Sequence, residues 1–266
     1  MALRWIDLLV ALTPGSRPPF ARVLRIFFVS SFVSNFVPSV AADIYRAYAL
    51  ARHDVHLAES TASVLMDRVL GVLSMVIVGA CALPVAQNLG IARGLMLSLA
   101  IALAACAVAG TIVFSERAAL ALVRLIDVIP LGTLHRITAA LTEAVRRYSR
   151  HHRELARVLM MSIAVQAIRV VQAWCLGEAL GLGLPLLTYF AVVPVILLIM
   201  QVPITINGLG TTQVAFVSLL GAAGADAAPT TALSILFLAL GFIGSLPGGV
   251  IYALADPAEG PGAQPS

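Results

Sequence analysis

Lysine is absent from the 266-residue chain, and all seventeen basic residues are arginine. This absence excludes a lysine Schiff base, a lysine nucleophile and the lysine of a phosphate-binding P-loop. Charge of either sign is also scarce, at 11% of residues against about 25% in soluble domains. Because 60% of residues are hydrophobic and the mean hydropathy is +0.98, the chain is predicted to be an integral membrane protein. Its long unbroken apolar runs favour helices, since a membrane barrel would show short alternating segments.

Cysteine is limited to Cys81, Cys106 and Cys175, all within apolar segments. They are expected to be small buried hydrophobic residues, and no cysteine or histidine spacing typical of a metal site is present. We therefore predict no metal and no cofactor. The net charge of +4 requires no nucleic-acid partner, because cytoplasmic loops of membrane proteins are rich in arginine for topological reasons.

Apolar stretches long enough to cross a membrane occur at residues 57–83, 94–114, 155–180 and 230–254. Residues 3–13 are too short to span and predict an interfacial helix or the tail of a longer span. The intervening segment 115–157 carries eight of the seventeen arginines, so it is predicted to be cytoplasmic, with two amphipathic helices. Whether those helices lie on lipid or are solvated stays open. The Pro-, Gly- and Ala-rich tail, 256–266, is predicted to be disordered.

Two further apolar runs, 26–37 and 186–201, are only half as long as a span and end at Pro38 and Pro203. Broken backbone at membrane depth must face protein or water, so each run predicts a Pro-broken, re-entrant hairpin. The segments 58–71 and 228–241 share five identities in fourteen positions, in register with these breaks. We predict one all-α transmembrane domain over residues 1–255. Its halves, about 20–114 and 155–255, would form an inverted repeat joined by the linker 115–157.

The first broken segment carries Asp43 and Arg46, three residues apart on one helical face. A charge at membrane depth costs at least about 2.5–3.5 kcal/mol unless it is paired or solvated. Arg46 is therefore predicted to hold a lipid phosphate, with Asp43 orienting it or meeting a cationic headgroup. Alternatively, both residues lie at the interface and cap the hairpin. The neighbouring pair Asp67–Arg68 either completes the same cavity or pairs structurally with the first two residues.

The second broken segment, 203–213, combines hydroxyl and amide side chains with glycines that permit close backbone approach. Its exposed N–H groups, at the start of the following short helix, could bind an anionic headgroup. The whole predicted substrate-binding set is Asn35, Asp43, Arg46, Asp67, Arg68, Thr205, Asn207, Gly208, Gly210 and Gln213. No catalytic residue is predicted.

These same motifs carry a family resemblance that covers nearly the whole chain. They are Arg4-Trp5 with Leu8-Leu9, Asn35 and Pro38 before Asp43-x-x-Arg46, Asp67-Arg68, PITINGLG at 203–210, and LPGG at 246–249. Together they resemble the transmembrane domain of lysylphosphatidylglycerol synthase and related stand-alone, flippase-like membrane proteins. Ala41 and Ala42 replace the glycines usual before the aspartate. The final span has no arginine near Phe237 or Leu238, where the family pattern has one, and we expect one N-terminal span of the pattern to be lacking.

The resemblance implies a membrane module that translocates or binds lipids. In the full-length synthase this domain is linked to flipping of aminoacylated phosphatidylglycerol, and relatives are associated with glycolipid, cell-wall and hopanoid pathways. We therefore expect a multi-pass protein of the inner (cytoplasmic) membrane that transports anionic or modified phospholipids. A membrane-embedded transferase, with Asp43 or Asp67 as base or metal ligand, and a non-catalytic partner of a lipid-modifying complex remain alternatives.

Enzymatic activity is left open, and we expect no soluble aminoacyl-transfer domain and hence no synthase activity. The expected partners are a membrane lipid and either another membrane protein or a second copy of the chain.

Overall fold

A computed structural model describes residues 2–12, 19–37, 39–52, 55–81, 143, 146–148, 151–201, 205 and 208–254. Within these residues the regular structure is entirely helical, as predicted. The helices that build the bundle are α1 (Ala2–Leu12), α2 (Phe20–Val33), α3 (Ser39–Ala51), α4 (Leu57–Cys81), α5 (His152–Ala179), α6 (Leu186–Gln201), α7 (Thr211–Gly221) and α8 (Ala227–Ala253).

In the described part of the chain, α4, α5 and α8 are each long and apolar enough to cross a membrane. They agree with three of the predicted spans, so the chain is a helical, multi-pass membrane protein. The predicted span 94–114, most of the linker 115–157 and the tail 256–266 lie outside the described residues.

The first half-length run ends earlier than proline alone would require. Helix α2 stops at Val33, and the side-chain amide of Asn35 donates to the carbonyls of Ser31 (3.2 Å) and Phe32 (3.0 Å). These bonds satisfy carbonyl groups that lose their partners where the helix ends. The chain resumes as α3 at Ser39, so the predicted break between two short helices is present. The re-entrant path of this segment through a membrane stays a prediction.

The helices before and after the linker pack in a reciprocal pattern. Helix α2 lies against α8, and α4 lies against α6. The short helix α3 packs between α2 and α4, as α7 packs between α6 and α8. A two-fold relation between α2–α4 and α6–α8 would produce such pairing. The repeat and its inversion nevertheless stay predictions.

The crossing of α2 and α8 depends on the glycines of the LPGG motif. A side-chain carbon at Gly248 would collide with the Phe28 carbonyl oxygen, and one at Gly249 would lie 2.8 Å from the Phe32 ring. Nearby, the amide of Asn35 donates to the Ser245 hydroxyl over 2.8 Å. Small residues thus allow close approach of the two backbones, as at many membrane helix interfaces.

Helix α1 is packed into the bundle, against α4 and α5, with Trp5, Leu8 and Leu9 fully buried. The expectation for the cysteines is wrong at both described positions, because Cys81 and Cys175 are exposed. Lipid tails are as apolar as a protein core, so an apolar neighbourhood does not predict burial in a membrane protein.

Candidate functional site

Three helices bring five ionisable side chains to one place inside the bundle. Helix α3 contributes Asp43 and Arg46, α4 contributes Asp67 and Arg68, and α1 contributes Arg4. Ion pairs of 2.6 to 3.9 Å join them, so the two predicted acidic–arginine pairs form one cluster. We call these five residues the charge cluster.

The Arg68 guanidinium binds the Asp43 carboxylate in a bidentate manner. Its Nε lies 2.7 Å from Oδ2, and its Nη2 lies 3.1 Å from Oδ1. The remaining nitrogen, Nη1, donates to Oε1 of Gln201 over 2.9 Å. Because Gln201 is the last residue of α6, this guanidinium links both broken segments. All three guanidinium nitrogens of Arg68 therefore have partners within the protein.

Arg4 makes two hydrogen bonds on the other side of the cluster. Its Nε lies 2.6 Å from Oδ1 of Asp67, and its Nη1 donates to the Ser162 hydroxyl over 2.9 Å. Arg4 and Asp67 are only 8% and 4% exposed, so this is a buried pair. Such a pair needs good geometry and further hydrogen bonds to offset the loss of water, and both are present.

Arg46 differs from the other two arginines because its charge is buried without a close partner. The residue is 7% exposed, and its guanidinium carbon lies 4.3 Å from the centre of the Trp5 ring and 5.3 Å from that of Phe27. The nearest carboxylate oxygens, on Asp67 and Asp43, are 3.7 and 3.9 Å from its Nη1. Its Nε and Nη2 have no hydrogen-bond partner among the described residues.

The charges of the cluster do not cancel. Three arginines face two aspartates, and each aspartate already accepts a short bond from another arginine. Arg46 is therefore the surplus positive charge, held near two aromatic rings that favour a cation over their faces. The arrangement can bind an anion through a guanidinium edge with two free donor nitrogens.

The polar groups of the second broken segment bond mainly to one another. The hydroxyls of Thr205 and Thr211 lie 3.1 Å apart, and that of Thr211 donates to the Gly208 carbonyl. The Gly210 N–H, a candidate for binding an anion, donates to Oε1 of Gln213 over 2.7 Å. Gly208 and Gly210 have φ of +73° and +86°, which glycine adopts without strain. Asn207 lies outside the described residues.

The structure therefore unites Asp43, Arg46, Asp67 and Arg68 and places Asn35 at the α2–α8 crossing. Sequence reasoning did not include Arg4, Ser162 or Gln201 in the site. Available signals were an arginine within the apolar helix α1 and a glutamine directly before the second break. Neither position reveals its distant partner without the fold.

The fold and the cluster define a class of protein: a multi-pass helical membrane protein with a buried, net positive polar site where its broken helices meet. The family model described as Lysylphosphatidylglycerol synthase TM region matches residues 1–248. The chain belongs to this family, and the resemblance drawn from its motifs is confirmed. It is a membrane protein of lipid modification or transport. The chain matches no curated protein and no solved structure.

Proposed function

We propose that this protein translocates lipids with an anionic headgroup across the membrane, and that Arg46 is the residue that holds the headgroup. The observation that carries the proposal is the buried guanidinium of Arg46, with its Nε and Nη2 unpartnered. Ionisable groups at membrane depth are rare and mark substrate pathways when they are retained.

The geometry around Arg46 suits a phosphate better than it suits the existing aspartates. A charge-assisted bond between a guanidinium N–H and an anionic oxygen is typically about 2.7–2.9 Å long. The contacts of Arg46 Nη1 with the two carboxylates are 3.7 and 3.9 Å, so a phosphate oxygen bound at the usual distance would be closer than either of them. A guanidinium fork also binds two oxygens of one phosphate, which a compact ammonium group cannot do.

The other members of the charge cluster hold Arg46 in position. The Arg68–Asp43 pair fixes α3 against α4, and its bond to Gln201 extends that support to α6. The Arg4–Asp67 pair fixes α1 in the same way. The ligand-binding donor is thus presented by two supporting ion pairs, as a preorganised site requires.

The test is transport in proteoliposomes. We would follow movement of fluorescently labelled phosphatidylglycerol between leaflets with purified wild-type protein, Arg46→Gln and the matched control Arg146→Gln. Arg146 has a side chain 64% exposed and bonded to Glu143, outside the cluster. We expect about a tenfold or greater loss of rate for Arg46→Gln and a change within about twofold for the control. Equal rates for wild type and Arg46→Gln would refute the assignment.

The same experiment separates the two alternative functions. A membrane-embedded transferase would convert the labelled lipid into a new product, which mass spectrometry would detect. Its turnover would depend on the carboxylate of Asp43 or Asp67, the base or metal ligand of that alternative. A non-catalytic partner would move no lipid alone, and its co-purification with a lipid-modifying complex would survive substitution of the four paired residues, Asp43, Arg46, Asp67 and Arg68. No contact among the described residues favours either alternative.

A further inference from the structure

A cavity of about 350 Å³ lies between helices α1 and α5. Its lining residues are Asp7, Val10, Ala11, His151, Glu154 and Arg157, and none of them belongs to the charge cluster. A water molecule occupies about 30 Å³, and small-molecule sites measure about 300–1,000 Å³. The cavity is therefore large enough for an organic group rather than for a single ion or water molecule.

Two of the lining residues carry buried polar atoms that have no hydrogen-bond partner among the described residues. They are Oδ2 of Asp7 and Nδ1 of His151. Oδ2 lies 3.3 Å from Nε of Arg157, which is an ion-pair distance, but the two groups are not aligned for a hydrogen bond. Buried polar atoms in proteins normally have a partner. A carboxylate oxygen only accepts a hydrogen bond, and Nδ1 accepts one when Nε2 carries the proton, so a donating ligand would satisfy both atoms.

The charge of the cavity lining selects the sign of the ligand. Asp7 and Glu154 contribute two negative charges and Arg157 one positive charge, so one negative charge remains when His151 is neutral. A phosphate would be repelled by this charge, whereas a monovalent cation would neutralise it. Within the described part of the chain, no group of three histidine, cysteine, aspartate or glutamate side chains is arranged to hold a metal ion. An ammonium group, which combines a positive charge with N–H donors, fits these observations.

Two hydrogen bonds tie α1 to the chain around the start of α5 and so fix the walls of the cavity. Nη1 of Arg4 donates to the Ser162 hydroxyl over 2.9 Å, and the Tyr148 hydroxyl donates to the Leu8 carbonyl over 2.8 Å. The Tyr148 ring also packs edge-to-face against the His151 ring, with centroids 6.4 Å apart. A site whose walls are held in this way is preorganised for a ligand.

The length of α5 places the cavity near the membrane surface. Its 28 residues extend over about 42 Å, against about 30 Å for the hydrocarbon core, so about 6 Å projects at each end of a centred helix. Arg157 lies five residues after the start of α5 at His152, or about 7.5 Å along the helix axis. The cavity is thus at the depth of lipid headgroups, where an ammonium group can arrive from a lipid or from water.

We infer that this cavity is a binding site for a primary ammonium group, which donates hydrogen bonds to Asp7, His151 and Glu154. The inference is independent of the proposed function, because the cavity and the charge cluster share no residue and prefer ligands of opposite charge. The ammonium group belongs either to a lipid headgroup or to a free amine, and the experiment separates these two sources.

The test compares primary and quaternary ammonium compounds that differ only in N-methylation. Detergent-solubilised protein is titrated with short-chain phosphatidylethanolamine or phosphatidylcholine, and separately with ethanolamine or choline at constant ionic strength. The apparent Kd is obtained from the rise of the thermal unfolding temperature with ligand concentration. In at least one pair the primary compound is expected to bind about tenfold or more tightly, since a quaternary ammonium has no N–H to donate. Both lipids carry the same phosphate, so Arg46 cannot produce this difference.

Two variants test whether the preference arises in this cavity. Glu154→Gln removes one carboxylate, and Val10→Phe fills the cavity without changing its charge. Each is expected to weaken binding of the primary compound by about tenfold or more. The matched control is Glu143→Gln, which removes an exposed carboxylate outside the cavity and should keep the Kd within about twofold of wild type. Unfolding temperatures without ligand show whether each variant is folded, and if one is not, the other decides.

The outcomes separate the sources and the proposals. A response to phosphatidylethanolamine alone assigns the ligand to a lipid headgroup, whereas an equal response to ethanolamine assigns it to a free amine. Equal affinity for the primary and quaternary compounds in both pairs, or no binding of either primary compound, overturns the inference. Wild-type affinity in the folded variants also overturns it. The proposed function is judged separately, by lipid transport in Arg46→Gln.

Discussion

Asp67→Asn is expected to destabilise the protein strongly, because one carboxylate balances two buried arginines. Oδ1 of Asp67 lies 2.6 Å from Arg4 Nε, and Oδ2 lies 3.7 Å from Arg46 Nη1. The substitution preserves the volume of the side chain and removes its negative charge. Arg4 and Arg46, 8% and 7% exposed, would then face each other at a site nearly closed to solvent.

The magnitude follows from the burial of the pair. Removing one partner of a buried ion pair typically costs about 3–5 kcal/mol, because the other charge stays buried and uncompensated. An exposed pair contributes about 0–1 kcal/mol, and Glu143 with Arg146 provides such a control, with side chains 38% and 64% exposed. The double variant Arg4→Gln/Asp67→Asn should recover about 0.5–3 kcal/mol relative to the sum of the single changes.

The free energy of unfolding can be measured by sodium dodecyl sulfate titration in mixed micelles, followed by far-ultraviolet circular dichroism. The comparison is between Asp67→Asn, Glu143→Gln and the Arg4/Asp67 double variant. A cost for Asp67→Asn no larger than that for Glu143→Gln would refute the reasoning, since the cluster would then be hydrated or unimportant for stability. Strict additivity in the double variant would show that Arg4 and Asp67 are not coupled.

Two further predictions concern packing and pH. Gly248→Ala is expected to cost about 1–3 kcal/mol of unfolding free energy, because the new methyl group meets the Phe28 carbonyl. The control Gly244→Ala would place its new Cβ in open space and should cause no loss, and equal effects would argue against the α2–α8 crossing. Tyr148→Phe should cost about 0.5–1.5 kcal/mol at neutral pH, since the phenol donates to the Leu8 carbonyl over 2.8 Å. Burial, and secondarily the charge of Asp67, raise the pKa of Tyr148 above its ordinary value of 10.0. Its contribution is therefore complete below about pH 10 and is lost as the pH rises above that value, where the unfolded tyrosine ionises first. Wild type should lose more unfolding free energy than Tyr148→Phe between about pH 8 and pH 11; parallel losses would contradict this.

Much of the fold could be predicted from local properties of the sequence. Hydropathy over about 20 residues is a local sum, so the helices α4, α5 and α8 were predicted with ends a few residues from those observed. Proline cannot continue a helical hydrogen-bond pattern, so Pro38 and Pro203 predicted the two breaks, although α2 already ends at Val33. The expectation for Cys81 and Cys175 failed because hydropathy cannot distinguish a core from a lipid-facing surface.

The second broken segment shows where local pattern reasoning reaches its limit. Its glycines, hydroxyls and amide predicted a surface of free donors, but Gln213 accepts from the Gly210 N–H and Thr211 donates to Gly208. Short polar side chains near a helix start readily bond to the adjacent backbone. Their role in binding a headgroup stays a prediction.

The sequence by itself determined that this is a helical membrane protein with ionisable residues at two broken segments, since charge and hydropathy are properties of each position. It could not determine how those charges pair. Spacing alone suggested that Asp43 pairs with Arg46, three residues away. In the structure the Asp43 carboxylate accepts its short hydrogen bonds from Arg68, 25 residues further along the chain. Arg4, on the first helix, donates the short hydrogen bond to Asp67. Only the tertiary structure leaves Arg46 as the buried cation without a close partner, because ion pairing depends on distances between helices and not on distances along the chain.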